Sequence, residues 1–223
     1  MSKIREMFDQ IHKRYDLLNR LMSAGRDLSW RKTCCKRLPQ KDNAVVLDLC
    51  GGTGDFAMKY CKNMPKLCII GDFSGNMLTL AAKKNADFKP VQMDATQISL
   101  VSSSVDIILN GFGMRNIQNL DGAFSEAHRV LKAGGSFATL EFFKPDKTIS
   151  KLFYHRIAPL ALPFAGMIFS KRNAYRYLVL SILNFITAKE YALKAKNAGF
   201  SLKCIKALDG GLAHIVILEK PWT

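Results

Sequence analysis

The stretch Val45-Val46-Leu47-Asp48-Leu49-Cys50-Gly51-Gly52-Thr53-Gly54-Asp55-Phe56 constrains the fold of this chain more than any other. An apolar, β-branched run passes straight into glycines and then into a helical pattern, which reads as a buried strand, a tight turn and a helix start. Glycines are needed where the backbone must approach a ligand with no Cβ between, and the N–H groups at the helix start can bind the anionic end of that ligand. The unit then repeats. Strand-like runs at Leu67 to Gly71, Phe88 to Met93, Val105 to Asn110 and Ser136 to Phe142 alternate with helical patterns, one starting at Ser74 and one from Leu120 to Leu131 that is expected to end on Gly134-Gly135 as a C-cap. Repeated βα alternation predicts a mostly parallel, doubly wound sheet in an α/β fold. After a helix from Thr187 to Ala198, runs at Ser201 to Ala207 and Leu212 to Leu218 flank Asp209-Gly210-Gly211, a hairpin turn signal. The expected sheet is therefore seven-stranded and closed by a C-terminal antiparallel hairpin.

Alone, Gly52-x-Gly54-x-x-Ala57 also passes as a dinucleotide fingerprint. Asp72, ending the second strand run, suits the ribose hydroxyls of either cofactor class. The residues that discriminate are Asp48 before the glycines, Asp94 after the third strand and the closing hairpin, a set that favours S-adenosylmethionine on a class I Rossmann-like methyltransferase fold. For Asp94 a simple capping role is the competing reading.

The 223 residues suit a single domain. Within it, residues 1–40 read as an N-terminal helical lid, with Ile4, Met7, Phe8, Ile11, Tyr15 and Leu18 at helical spacing, and residues 144–185 as an apolar insertion over the cleft. The core of that insertion, Leu152 to Phe169, is broken by His155, Arg156, Pro159 and Pro163, so it reads as lying against something apolar rather than spanning a bilayer. Thirty-three Lys and Arg against 18 Asp and Glu leave a net charge of +15, which attracts polyanions. Nucleic acid and an anionic membrane surface both satisfy that charge, and charge spread along a whole chain also serves solubility. Six cysteines without C-x-x-C pairs or zinc-like His spacing read as reduced thiols of a cytoplasmic protein, and no metal site is expected. Neither a D/N/S-P-P-aromatic motif after the fourth strand nor a Pro-Cys dipeptide occurs, which disfavours two well-marked classes of nucleic-acid methyltransferase.

Several blocks resemble one family in particular, the UbiE/MenG-type C-methyltransferases of menaquinone and ubiquinone biosynthesis. They are Phe8-Asp9, Tyr15-Asp16-Leu17-Leu18-Asn19, Met22-Ser23, Trp30, the glycine loop, Gly111-Phe112-Gly113-Met114-Arg115-Asn116, Leu140-Glu141-Phe142 and Tyr175-Arg176-Tyr177-Leu178 with Ser181-Ile182. The Y-D-x-x-N and G-F-G-x-R-N blocks are the specific ones. The chain departs from the pattern at Asp27, where the family usually has His, at Ala133 in place of Pro, and in a loosely matching C-terminal segment from Gly210 to Lys220.

The resemblance implies C-methylation of a polyprenyl quinol ring, with demethylmenaquinol to menaquinol expected and the ubiquinone-pathway benzoquinol, or more remotely an RNA, as alternatives. It implies S-adenosylmethionine contacts at Thr53, Asp72, Asp94 and Ala95, to which the reading of the glycine loop and strand ends adds Asp48, Cys50, Gly52, Gly54 and Gly111. Just past the fourth strand, Arg115 is the expected electrostatic partner of the ring or organiser of a water-mediated base, and Asn116 the expected holder of a ring oxygen. Tyr15, Asp16 and Asn19 share nearly one helical face and are expected over the ring, with Tyr15 a candidate catalytic residue; the competing reading is a buried Tyr15 with Asp16 and Asn19 facing solvent. The apolar insertion is expected to wall the prenyl tail, and the basic surface to dock at the inner face of an anionic membrane.

Overall fold

The computed structural model describes residues 20, 23, 25–61, 67–146 and 172–222. Tyr15, Asp16, Asn19 and the stretch from Leu152 to Phe169 lie outside the described residues, as do the side chains of Tyr175 and Arg176.

Helix α1 (Arg26–Cys35) precedes an alternating series: β1 (Val45–Leu49), α2 (Asp55–Tyr60), β2 (Leu67–Asp72), α3 (Gly75–Lys84), β3 (Phe88–Gln92), β4 (Val105–Gly111), α4 (Leu120–Val130) and β5 (Leu131–Glu141). Then come α5 (Arg172–Leu183), α6 (Ala188–Asn197), β6 (Ser201–Leu208) and β7 (Ala213–Glu219). The strands form one seven-stranded sheet in the order β3-β2-β1-β4-β5-β7-β6. Parallel pairing holds from β3 through β5, whereas β7 runs antiparallel to both β5 and β6. The mostly parallel sheet and its closing hairpin are thus as the alternation predicts.

Strand side chains alternate between faces, so each strand feeds two cores. Leu47 and Ile108 pack with Phe124, Ala127, Tyr191 and Ala195 of α4 and α6 on one face, while Val46, Ile107 and Leu109 meet Trp30, Cys34, Phe56 and Tyr60 of α1 and α2 on the other. Burial on both faces explains why these strands are near-continuous apolar runs. The helices start where short polar side chains can accept orphan N–H groups: Ser74 caps α3, Asn119 caps α4, and Thr187 with Glu190 forms a capping box on α6.

Gly134-Gly135 does not cap a helix. The α4 helix stops at Val130, Leu131 is already extended, and β5 begins there. The pairing of β4 with β5 jumps from Val105↔Leu131 to Ile107↔Ser136, so Lys132 to Gly135 form a bulge. Gly134, with φ 69°, donates its N–H to the Lys220 carbonyl at 2.8 Å and packs under the Trp222 ring. The glycines serve the crossing of the C-terminal segment. At the opposite end of the sheet the turn after β6 is fastened to α1: the Asp209 carboxylate accepts from Arg26 and, at 2.6 Å, from Trp30 Nε1. Among the described residues no helix is long and apolar enough to cross a membrane.

Candidate active site

The strand order reverses between β1 and β4, where the connections leave in opposite directions and a crevice opens at the carboxyl ends of the strands. A cleft occupies that place. Its wall is drawn from the segments after four strands: Cys50 and Gly52 after β1, Asp72 and Phe73 at the end of β2, Met93 to Thr96 after β3, and Phe112, Gly113 and Asn116 after β4.

The glycine loop is held open by contacts that larger residues would break. Gly54 has φ 78°, and a Cβ there would sit 2.8 Å from the Phe88 ring. Gly113 lets the β4 loop close on β1, since its Cβ would lie 2.6 Å from that of Cys50. Asn110 locks the same junction, donating to the Leu49 carbonyl at 2.7 Å and accepting from the Gly113 N–H at 3.3 Å. Cys50 and Phe112 both adopt positive φ (54° and 63°), a costly backbone conformation for residues with side chains, and both line the cleft. Burial holds the Cys50 thiol well above its ordinary pKa, so it is a protonated wall rather than a nucleophile.

Asp72 is fixed by the loop it serves. One carboxylate oxygen accepts from the Gly52 N–H and the other from the Ser74 N–H, each at 2.9 Å. Asp94 lines the cleft two residues beyond β3, and its Oδ1 accepts from the Thr96 N–H and hydroxyl, both at 2.7 Å. The capping reading of Asp94 thus takes the form of a closed turn rather than a helix cap, in a residue that also faces the cleft. Two carboxylates with Phe73 and Met93 between them suit a ligand that pairs an apolar ring with hydroxyl and amino donors.

Of the residues expected at the cofactor, Cys50, Gly52, Asp72, Asp94 and Ala95 line the cleft. Asp48, Thr53, Gly54 and Gly111 do not; they shape it from behind. The Asp48 carboxylate turns inward and accepts from the Ala57 N–H at 2.9 Å. The Thr53 hydroxyl accepts from Lys84 Nζ at 2.8 Å, and Gly111 leaves room for the Phe56 ring.

Arg115, expected as the ring's electrostatic partner, is paired with groups beside the cleft wall rather than standing on it. Its Nη1 donates to Glu141 Oε1 and to the Phe112 carbonyl, both at 2.7 Å, its N–H donates to Glu141 Oε2 at 3.2 Å, and its guanidinium stands over the Phe142 ring. The Glu141 side chain is fully buried at the end of β5, so it draws the guanidinium to itself. Arg115 is therefore an anchor of the cleft lip, and its neighbour Asn116 is the residue on the wall. Sequence reasoning gave Glu141 no role, although an acid ending the apolar run Phe137 to Leu140 is the signal of a buried, paired carboxylate. Asp27 is also buried and accepts from Arg31 and, at 3.0 Å, from the Ser23 hydroxyl. Arg31 in turn lies over Phe112.

The antiparallel β7 separates this sheet from those of most dinucleotide dehydrogenases and gives the chain the fold of a class I methyltransferase. Solved structures share the fold. A SAM-dependent methyltransferase of Thermotoga maritima superposes with a TM-score of 0.68 at 17% identity, over 96% of this chain and 98% of that one. One from Aquifex aeolicus gives 0.61 at 16%, over 85% and 89%. More particularly, the chain belongs to the ubiE/COQ5 methyltransferase family, whose model matches residues 1–220. It is 37% identical to the ubiquinone/menaquinone biosynthesis C-methyltransferase UbiE of Geotalea uraniireducens, over 98% of this chain and 97% of that protein. It is also 37% identical to the demethylmenaquinone methyltransferase of Thermotoga maritima, over 97% and 95%.

Asp48 supplies a test of the site's electrostatics. Its Oδ1 has no hydrogen-bond partner among the described residues, and burial pushes its pKa up to about 7 against the opposing effects of the Ala57 N–H and Arg31. Because the folded value exceeds the unfolded one, the native state binds this proton more tightly. Stability therefore falls as pH rises from the unfolded to the folded pKa and levels off above about 7. Asp48→Asn keeps an acceptor for Ala57 and removes the ionisation. Urea denaturation should show the variant gaining on the wild type by a few kcal/mol between about pH 4 and pH 8. A pH-independent difference would show that Asp48 titrates as an ordinary carboxylate.

Proposed function

We propose that this methyltransferase transfers the methyl group of S-adenosylmethionine to a ring carbon of a polyprenyl quinol, converting demethylmenaquinol to menaquinol. The observation that carries the reading is the cleft itself: carboxylates at Asp72 and Asp94 on the segments after β2 and β3, and Phe112 and Asn116 on the segment after β4. The names of both relatives point to the same chemistry, and that of the Thermotoga maritima protein points to the naphthoquinol ring.

When bound, S-adenosylmethionine supplies a methyl group already activated by a positively charged sulfur. Asp72 accepts from the ribose hydroxyls and Asp94 from the adenine amino group, with the Ala95 backbone beside it and Phe73 and Met93 against the apolar faces. Cys50 and Gly52 carry the loop backbone along the amino-acid end. Methyl transfer to carbon needs no covalent residue but an aligned nucleophile in a site that excludes bulk water. The methyl–sulfur bond breaks as the bond to the ring carbon forms, and the thioether product leaves; the quinol hydroxyl proton having been given up and regained, the ring proton is the one released to solvent. Asn116 holds an oxygen of the quinol ring, and its dipole stabilises the charge that this oxygen gains as the ring becomes a carbon nucleophile. Arg115 contributes by fixing the lip on which Asn116 stands.

The expected result with purified protein and labelled S-adenosylmethionine is methylation of demethylmenaquinol in preference to the benzoquinol, and none of RNA. RNA as the best acceptor would overturn the reading. The net +15 further suits docking on the anionic membrane surface that holds such a substrate. Vesicles containing anionic lipid should sediment the protein at low salt and release it as salt rises past the screening range. Equal binding to neutral vesicles, or tighter binding to tRNA at physiological salt, would contradict the docking.

A further inference from the structure

The α5 helix lays two hydroxyl-bearing side chains, one turn apart, on two successive residues of the cleft lip. Tyr177 donates its phenolic O–H to Asn116 Oδ1 at 2.8 Å, and Ser181 accepts from Arg115 Nε at 3.3 Å. Leu178, Val179 and Ile182 of the same helix are buried in one cluster, with Phe142 and Leu212 packed against it, so the clasp stands on a packed base. Burial raises the pKa of Tyr177, against the pull of Arg115, so the phenol stays protonated and keeps its role as donor. An amide offers an acceptor at one end and two donor protons at the other. With Oδ1 taken by Tyr177, the end left for a ligand is Nδ2, and no acceptor among the described residues takes its protons.

We infer that Tyr177 is a positioning residue: its hydrogen bond fixes the Asn116 amide with the N–H₂ group toward the substrate, so that the lip presents a donor to the ring oxygen. The inference rests on the quinol reading above and extends it, because it specifies which group of Asn116 meets the substrate and what decides this. Without Tyr177 the amide is free to turn, and in the turned state its carbonyl faces an oxygen that is becoming negative. A preorganised donor is worth most where charge develops, so the loss falls on turnover rather than on cofactor binding.

Tyr177→Phe removes only the hydroxyl and should lower kcat about five- to tenfold, the worth of one neutral hydrogen bond, with the KM for S-adenosylmethionine and the melting temperature little changed. Asn116→Asp keeps an acceptor for Tyr177 but offers the ring an anionic oxygen in place of N–H, and should cost roughly 100-fold or more. In an Asn116→Ala background, Tyr177→Phe should cost nothing further, since Tyr177 acts through that amide. A wild-type kcat in Tyr177→Phe, or losses that simply multiply in the double variant, overturns the positioning role while leaving the quinol reading intact. If the wild-type protein methylates no quinol, the reading beneath it falls as well.

Discussion

The bonds between the Asp72 carboxylate and the two backbone N–H groups of Gly52 and Ser74 are the constraint on which the rest of the site depends. They join the glycine loop after β1 to the start of α3, so an acid and an open stretch of backbone arrive together at one edge of the sheet. Gly54, wedged against Phe88, and Gly113, closed on Cys50, then determine how near the neighbouring loops approach. The positive φ angles at Cys50 and Phe112 are tolerated because Asn110 fixes the junction between them. Strain of that kind persists where the surroundings over-determine it, and here they do so beside the ligand cleft.

A second constraint acts at the lip. The fully buried Glu141 carboxylate takes the guanidinium and backbone N–H of Arg115 as well as the Phe142 N–H, and so ties the turn after β4 to the end of β5. Removing one partner from such a pair leaves a buried charge behind, which typically costs about 3–5 kcal/mol. The pair is thus a rigid footing for Asn116, and α5 completes it through Ser181 and Tyr177. The division of labour is clear: one edge of the cleft is suited to hydroxyl and amino donors, the other to an oxygen on an apolar ring.

The sheet was legible from its sequence because buried parallel strands leave apolar runs and the intervening helices leave caps, as at Ser74 and Thr187. The placement of the glycine loop, Asp72 and Asp94 at the cleft is legible because their offsets from the strand ends are short and local. What failed was non-local. Gly134-Gly135 looks like a helix end until Lys220 and Trp222, which lie more than eighty residues further on, are seen to occupy it. The partner of Arg115 is not local either, since Glu141, which pairs with it, lies across a strand pair. Asp48 has the spacing of a cofactor contact but turns its carboxylate to the start of α2. Local spacing places a residue near the cleft, while its bonding partners decide which way it faces.

The central claim is that Asp72 both shapes the glycine loop and receives the cofactor. Calorimetric titration of S-adenosylmethionine into the wild-type protein and Asp72→Ala, at a temperature where both remain folded, tests it most directly. Loss of charge-assisted hydrogen bonds should weaken binding at least about tenfold in the variant. An unchanged dissociation constant would mean that the cofactor lies elsewhere and that Asp72 serves the loop alone.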